Sequence, residues 1–178
     1  KLLAIAKRSG STIEVRVHPT LIAHDHPLSQ VNGSFNAVYL HGHACKEMML
    51  QGRGAGDLPT ASAVVGDILH AATVDVHVHP TFVNSANADA SLVFTNDWKT
   101  RYFLRLSIQD EPGSLAKIAT WLSSEQVSIA TMMQKAELAG SRVPLIIITH
   151  EANEQAIRAA LAKFDPEVCT VENMIRVE

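Results

Sequence analysis

Two short stretches of this 178-residue chain carry residue types whose spacing could do chemistry. The first is Gly52-Arg53-Gly54-Ala55-Gly56-Asp57, with glycines at alternating positions. Such a loop can adopt positive φ and bring its backbone close against another group. The second is Asp110-Glu111-Pro112-Gly113-Ser114-Leu115, a turn leading into a helical pattern. Free backbone N–H groups at the start of that helix favour an anion such as a ligand carboxylate. Asp110 can accept hydrogen bonds from a ligand ammonium group. On the residues alone a plainer reading of each stays open: a helix start with no ligand, and a tight turn in a packing module.

Other constellations carry less. The chain has nine histidines, with pairs at His24/His26, His41/His43 and His77/His79. In a strand, His41, His43 and Cys45 would share a face and could converge on zinc. Gly42 makes a turn the better reading, and paired Cys or Cys/His zinc spacings are absent, so no metal is expected. Cys45 has no positioned base and reads as a spectator thiol. Met48-Met49 and Met132-Met133 read as strand residues of core and edge.

The elements that position these stretches follow from periodicity. Residues Lys1 to Arg8 read as the last turns of a helix stopped by Gly10. Ile13, Val15 and Val17 alternate with polar residues as a half-buried strand. Asn32-Gly33 signals a turn, followed by strands over Ser34–Leu40 and Lys46–Gln51. A helix starts near Pro59 and fades near Ala72, with Val64, Val65, Ile68 and Leu69 as its apolar stripe. From Thr73 to Asp97 the pattern loosens into a linker, where Val74, Val76 and Val78 could form a short strand. The second half is clearer. A strand over Arg101–Ile108 leads to a helix capped by Ser114, with Leu115, Ile118, Ala119 and Leu122 inward. Strands over Val127–Gln134 and Val143–Thr149, a helix over Glu154–Phe164 and a strand over Val168–Val177 complete a ferredoxin-like βαββαβ order. The fold class expected is α+β: a partial mixed or antiparallel sheet with packed helices, then the βαββαβ domain. The boundary is placed near Trp98, giving domains 1–97 (linker from about 73) and 98–178.

Composition narrows the function. With 47% hydrophobic and 19% charged residues the chain can bury a core, which excludes global disorder. A net charge of −3 and a pI of about 6.3 argue against gripping nucleic acid. Two distant cysteines fit a reducing compartment, and no apolar run approaches the roughly 18 residues of a membrane span. A cytoplasmic protein with neither nucleic-acid nor membrane partner is expected. The chain starts at Lys1 rather than Met, which suggests a fragment.

Two resemblances extend this reading. With its Asp110-Glu111-Pro112-Gly113-Ser114-Leu115 turn and its element order, the second half resembles an ACT domain, a module that binds amino acids. The resemblance implies effector contacts at Asp110, Gly113, Ser114 and Leu115 and at the start of the second strand, Ile129 and Ala130. The first half is similar to the carboxy-terminal part of the homoserine dehydrogenase catalytic domain. Ile13–Ile22, His26-Pro27-Leu28, Val31–Val38 and above all Gly52–Asp67 carry that similarity. It implies NADP or NAD as cofactor in the full-length enzyme, with Gly54, Ala55, Gly56 and Thr60 near the nicotinamide end and none held tightly by the fragment. It also implies that the nucleotide-binding Rossmann domain and the catalytic lysine lie upstream. No catalytic residue is therefore assigned here, and the fragment is expected to be inactive alone. L-Threonine is the implied effector, and a homo-oligomer, dimer or tetramer, is expected. A non-enzymatic amino-acid-sensing and dimerisation module is the alternative.

Overall fold

A computed structural model describes residues 1–73, 91–134 and 142–178. In chain order its elements are β1 (Leu2–Ser9), β2 (Thr12–Leu21), a 3-10 turn at Pro27–Gln30, β3 (Phe35–Gly42), β4 (Lys46–Arg53), α1 (Asp57–Thr73), β5 (Val93–Thr95), β6 (Lys99–Gln109), α2 (Ser114–Ser124), β7 (Ile129–Gln134), β8 (Arg142–Thr149), β9 (Ala152–Asn153), α3 (Glu154–Ala162) and β10 (Cys169–Val177). The chain divides into two compact units, Lys1–Ile22 with Ser91–Glu178, and Ala23–Ala90. Val74, Val76 and Val78 lie outside the described residues.

The larger unit is built on a sheet of order β1-β2-β10-β6-β8-β7. Its β10-β6-β8-β7 part is antiparallel throughout, the strand order of the expected ferredoxin-like unit. Alternation along β6 buries Tyr102, Leu104, Leu106 and Ile108, and β8 buries Val143, Leu145 and Ile147 beside them. Ile118 and Leu122 from α2 and Ile157 and Ala160 from α3 complete the same cluster. Each fully buried aliphatic side chain contributes about 1.5–3 kcal/mol, so this layer dominates the unit.

The first strands extend that sheet across the boundary expected near Trp98. Thr20 and Leu21 pair in parallel with Arg176 and Val177, and Thr12–Glu14 pair in parallel with β5. Two expectations fail in this region. The first ten residues are not a helix end: β1 pairs with β2 from Leu2↔Pro19 to Ser9↔Thr12. A short apolar run such as Leu2–Ala6 fits either period. The turn decides it, because Gly10 at φ +60° suits a two-residue hairpin loop. The buried face of β2 is also the polar one. Arg16, His18 and Thr20 are buried, whereas Val15 and Val17 are exposed.

In the smaller unit β3 and β4 form a hairpin running from Phe35↔Arg53 to Gly42↔Lys46. Helix α1 follows with no buried residue. Its stripe of Val64, Val65, Ile68 and Leu69 lies more than half exposed.

Candidate functional site

The turn after β6 stops the strand at Gln109 and starts α2 through Gly113, whose φ of +95° explains a glycine there. Gly113, not Ser114, is the N-cap, and no side chain caps the helix. This corrects the expected capping role of Ser114: the glycine ends the turn one residue earlier, leaving the serine as the first residue of the helix. Ser114 is buried, and its N–H donates to Glu111 O at 3.2 Å. Asp110 Oδ1 accepts from Gln134 Nε2 at 3.2 Å, tying the turn to the end of β7. Leu115, expected inward, is 37% exposed at this rim, while Ile118 and Leu122 face the core.

Ile129 and Ala130 open β7 at its other end. Ile129 pairs with Thr149, whose Oγ1 accepts from Tyr102 N, whereas Gln134 pairs with Leu145. At the ordinary rise of a strand that is a separation on the order of 15 Å from the turn. Within one chain, therefore, Asp110, Gly113, Ser114 and Leu115 gather at the turn, and Ile129 and Ala130 do not join them. Ala130 sits where the β7–β8 register shifts between Ile129 and Thr131, and Ile129 packs on the core.

Beside the turn, towards β10, lies an open cleft of about 480 Å³, lined by Glu111, Ser114, Lys117, Arg142 and Glu167 among others. Of the six effector candidates it contains only Ser114. The sequence reading missed Lys117, Arg142 and Glu167. The available signal was charge: Lys117 follows Ser114 by three residues, and Arg142 stands at the mouth of an apolar strand.

A second polar centre, also missed, is internal. Glu154 accepts from Tyr102 Oη at 3.0 Å and from Arg158 Nε at 2.8 Å, and pairs with Arg176. Burial pushes the Glu154 carboxyl up, but Arg176 and Tyr102 outweigh it and hold the group below the ordinary carboxylate range. Burial and the Glu154 charge push the Tyr102 hydroxyl well above its usual value. With its oxygens so engaged, Glu154 braces α3 against the sheet. Next to it Arg16 pairs with Glu178, lies 3.3 Å from Glu14, and covers the Trp98 ring at 5.3 Å. His18 stacks with Trp98, their ring centroids 6.3 Å apart. Burial lifts the Cys169 thiol to about 11, which leaves it inert as a nucleophile.

In the smaller unit the glycine loop joins β4 to α1. Gly54 N donates to Ser34 O at 2.8 Å. A Cβ on Gly54 would stand 1.5 Å from Asn36 Nδ2, so the close approach is to Asn36. Gly56 has φ +123°, and its carbonyl accepts from Thr60 N at 3.0 Å and Thr60 Oγ1 at 2.6 Å. Thr60 is thereby committed to the helix start. Arg53 lies over the Phe35 ring at 4.8 Å and donates to Ser34 Oγ at 3.0 Å. Asn36, Val38, Leu50, Arg53 and Gly54 border an open hollow of about 320 Å³, while Ala55 is exposed beyond it. His41, His43 and Cys45 sit exposed at the far end of this hairpin. No group of three metal-ligating side chains occurs among the described residues.

Comparison with known proteins places both segments. The profile of the homoserine dehydrogenase family matches residues 1–69. The homoserine dehydrogenase of Corynebacterium glutamicum is 38% identical over all of this chain, which covers 41% of it. That of Pseudomonas aeruginosa is 40% identical over 93% of the chain, covering 40% of the relative. Among solved structures, a homoserine dehydrogenase from Thiobacillus denitrificans superposes over the whole chain and 42% of its own length, with a TM-score of 0.81 at 35% identity. The chain thus spans about two fifths of the length of these relatives. The glycine-loop helix and the βαββαβ unit both lie within the stretch shared with these relatives. The chain belongs to the homoserine dehydrogenase family.

Proposed function

We propose that this chain is the regulatory carboxy-terminal portion of an enzyme that interconverts L-aspartate 4-semialdehyde and L-homoserine with NAD or NADP. In this reading the enzyme is a cytoplasmic homo-oligomer in the route to threonine and methionine, under feedback control by L-threonine. The observation that carries the reading is the 38% identity running through the glycine loop and the βαββαβ half together. The geometry supports a division of labour. The loop at Gly54–Gly56 offers backbone groups to the nicotinamide end of the cofactor, as the family resemblance implies. Gly54 lets the Asn36 amide pack against the loop, and Gly56, at φ +123°, turns the chain into α1.

Hydride transfer belongs to the cofactor, and the protein must hold cofactor, substrate and an acid/base group together. Among the described residues the buried carboxylate Glu154 is clamped by two arginines and Tyr102. Following the family resemblance, the acid/base group is sought in the portion the chain does not span, and the chain alone is expected to be inactive. Association is supported by the exposed apolar face of β1, β2 and β5, which carries Leu2, Val15, Val17 and Phe94.

The test is reconstitution. The 178-residue chain alone should give no homoserine-dependent reduction of NADP, and mixing it with the upstream portion should restore turnover. Activity from the chain by itself would sink the reading.

A further inference from the structure

We propose that the polar seam between β2 and Trp98 is a binding site for an ordered internal water, which bridges the Trp98 indole N–H to His18 Nε2 beside the Arg16 guanidinium. All three residues lie in the larger compact unit. Near the seam the backbone joint is thin: β2 meets β10 through two pairs, Thr20↔Arg176 and Leu21↔Val177. Side chains therefore carry much of the joint.

The first observation is a set of buried polar atoms gathered in one place. Glu14 Oε1, Arg16 Nε and Nη1, His18 Nε2 and Trp98 Nε1 are shielded from solvent and have no hydrogen-bond partner among the described residues. Arg16 is 4% exposed and His18 8%. Buried polar groups in folded proteins bond to the protein or to ordered water, so such a gathering points to a shared partner. The second observation is that neighbouring contacts hold these side chains in place. Arg16 Nη2 is spent on Glu178 Oε1, and Glu178 is itself held by Lys7 Nζ at 3.0 Å and by its own N–H on Leu21 O at 3.0 Å. The Trp98 carbonyl accepts from Glu154 N at 3.0 Å, which ties its backbone to the start of α3. His18 Nδ1 lies 3.1 Å from Pro19 O and 3.0 Å from Thr20 Oγ1. The Thr20 hydroxyl donates to His18 O at 3.2 Å, and a carbonyl can only accept, so Nδ1 carries the proton. In the neutral imidazole Nε2 is then a bare acceptor.

The occupant follows from the roles of these atoms. Arg16 Nε, Arg16 Nη1 and the indole nitrogen offer N–H donors, whereas Glu14 Oε1 and His18 Nε2 offer lone pairs. An anion would take the donors but face the Glu14 carboxylate and the imidazole lone pair. A cation would face the guanidinium and the indole proton. The Arg16 charge is in any case already matched by Glu178 and by Glu14 at 3.3 Å. Water both donates and accepts, and satisfies the two kinds of atom together. Arg16 lies 5.3 Å from the centre of the Trp98 ring and His18 6.3 Å, yet the ring nitrogens of His18 and Trp98 make no direct bond. A water between them is worth nearly a direct hydrogen bond, and it fastens β2 to the residue that leads into β6.

The experiment is crystallography of the full-length enzyme at a resolution that shows ordered water, on the wild type, on wild-type crystals soaked in bromide, and on Trp98→Phe. The wild type should show a density peak within about 2.7–3.2 Å of both Trp98 Nε1 and His18 Nε2. Bromide should leave that peak without anomalous signal, and Trp98→Phe, which keeps an aromatic ring but removes the indole donor, should lose or displace it. Should Trp98→Phe fail to fold, His18→Leu removes the acceptor instead and is read in the same way. A direct bond between the two rings, or no density between them in the wild type, overturns the site. Bromide at the peak overturns water as its occupant and makes the seam an anion site. A peak that keeps its position in the variant overturns the bridge.

Discussion

The two compact units treat apolar surface in opposite ways. In the larger one, strands β6 and β8 and helices α2 and α3 bring Leu106, Leu145, Ile118 and Ile157 to zero exposure. In the smaller one, α1 buries nothing, and Ile68 and Leu69 stand about 60% exposed on an amphipathic helix. An apolar stripe is kept on a helix only where something covers it. One unit therefore carries its own core, and in the other α1 has no buried residue among those described.

The sharpest way to break this contrast is to damage both units and compare. Glu154→Ala in the larger unit strips Tyr102 and Arg176 of their shared buried partner. Removing one side of a buried pair costs about 3–5 kcal/mol. In the smaller unit, Ile68→Ala should change the stability of the chain by less than about 0.5 kcal/mol, because its side chain stands in the open. Urea unfolding of the 178-residue chain measures both. A loss of several kcal/mol for Ile68→Ala would mean that the α1 face is covered in solution, by a second copy or otherwise.

A smaller effect separates structure from function in the glycine loop. Gly54→Ala places its Cβ against the Asn36 amide, which is the end of an exposed side chain and can turn away. Stability should fall by less than about 1 kcal/mol. If the loop meets the cofactor, the full-length variant should show a KM for the nucleotide raised about tenfold, equivalent to about 1.4 kcal/mol, with kcat little changed. An unchanged KM would remove Gly54 from the cofactor contacts and leave the loop a plain helix start.

The same contrast explains what was legible in the sequence. The βαββαβ order could be read because each element there buries its own apolar face, so period and burial agree. Tyr102, Leu104, Leu106 and Ile108 alternate in sequence and alternate in burial. The hairpin and α1 were also legible as elements, since turn chemistry at Gly33 and Gly56 marks them locally. What failed was inference across long stretches of chain. The alternation of β2 was correct, but its sides were not: Val15 and Val17 face out, and the polar row faces in. The buried row Arg16, His18 and Thr20 is offset by Glu178, Glu14 and Trp98, partners up to 162 residues away. No local pattern signals that pairing. The cleft at Ser114 was missed for a similar reason, because its second wall comes from the loop before β10.

The polar cluster on β2 also gives the smallest and most specific expectation, a dependence on pH. Burial lowers the His18 pKa below its ordinary value of 6.5. The positive charges of Arg176 and Arg16 act in the same direction, while the Pro19 carbonyl and Glu154 oppose them. The folded state thus holds a neutral imidazole, and the unfolded chain takes up the proton first as pH falls. The contribution of His18 is complete above 6.5 and declines as pH drops from 6.5 through the lower folded-state pKa. Glu154, also lowered in the fold, adds a second loss with the same sign at more acid pH. Thermal unfolding between pH 7.5 and pH 5 should therefore show a falling Tm, and His18→Gln should flatten the upper part of that fall. The hairpin and α1 belong to the other compact unit, so a local probe there, such as proteolysis near His70, should not follow the same curve. If His18→Gln leaves the slope between pH 7 and pH 6 unchanged, the imidazole is not buried against Trp98 in solution, and the pairing of β2 with β10 is looser than the structure has it.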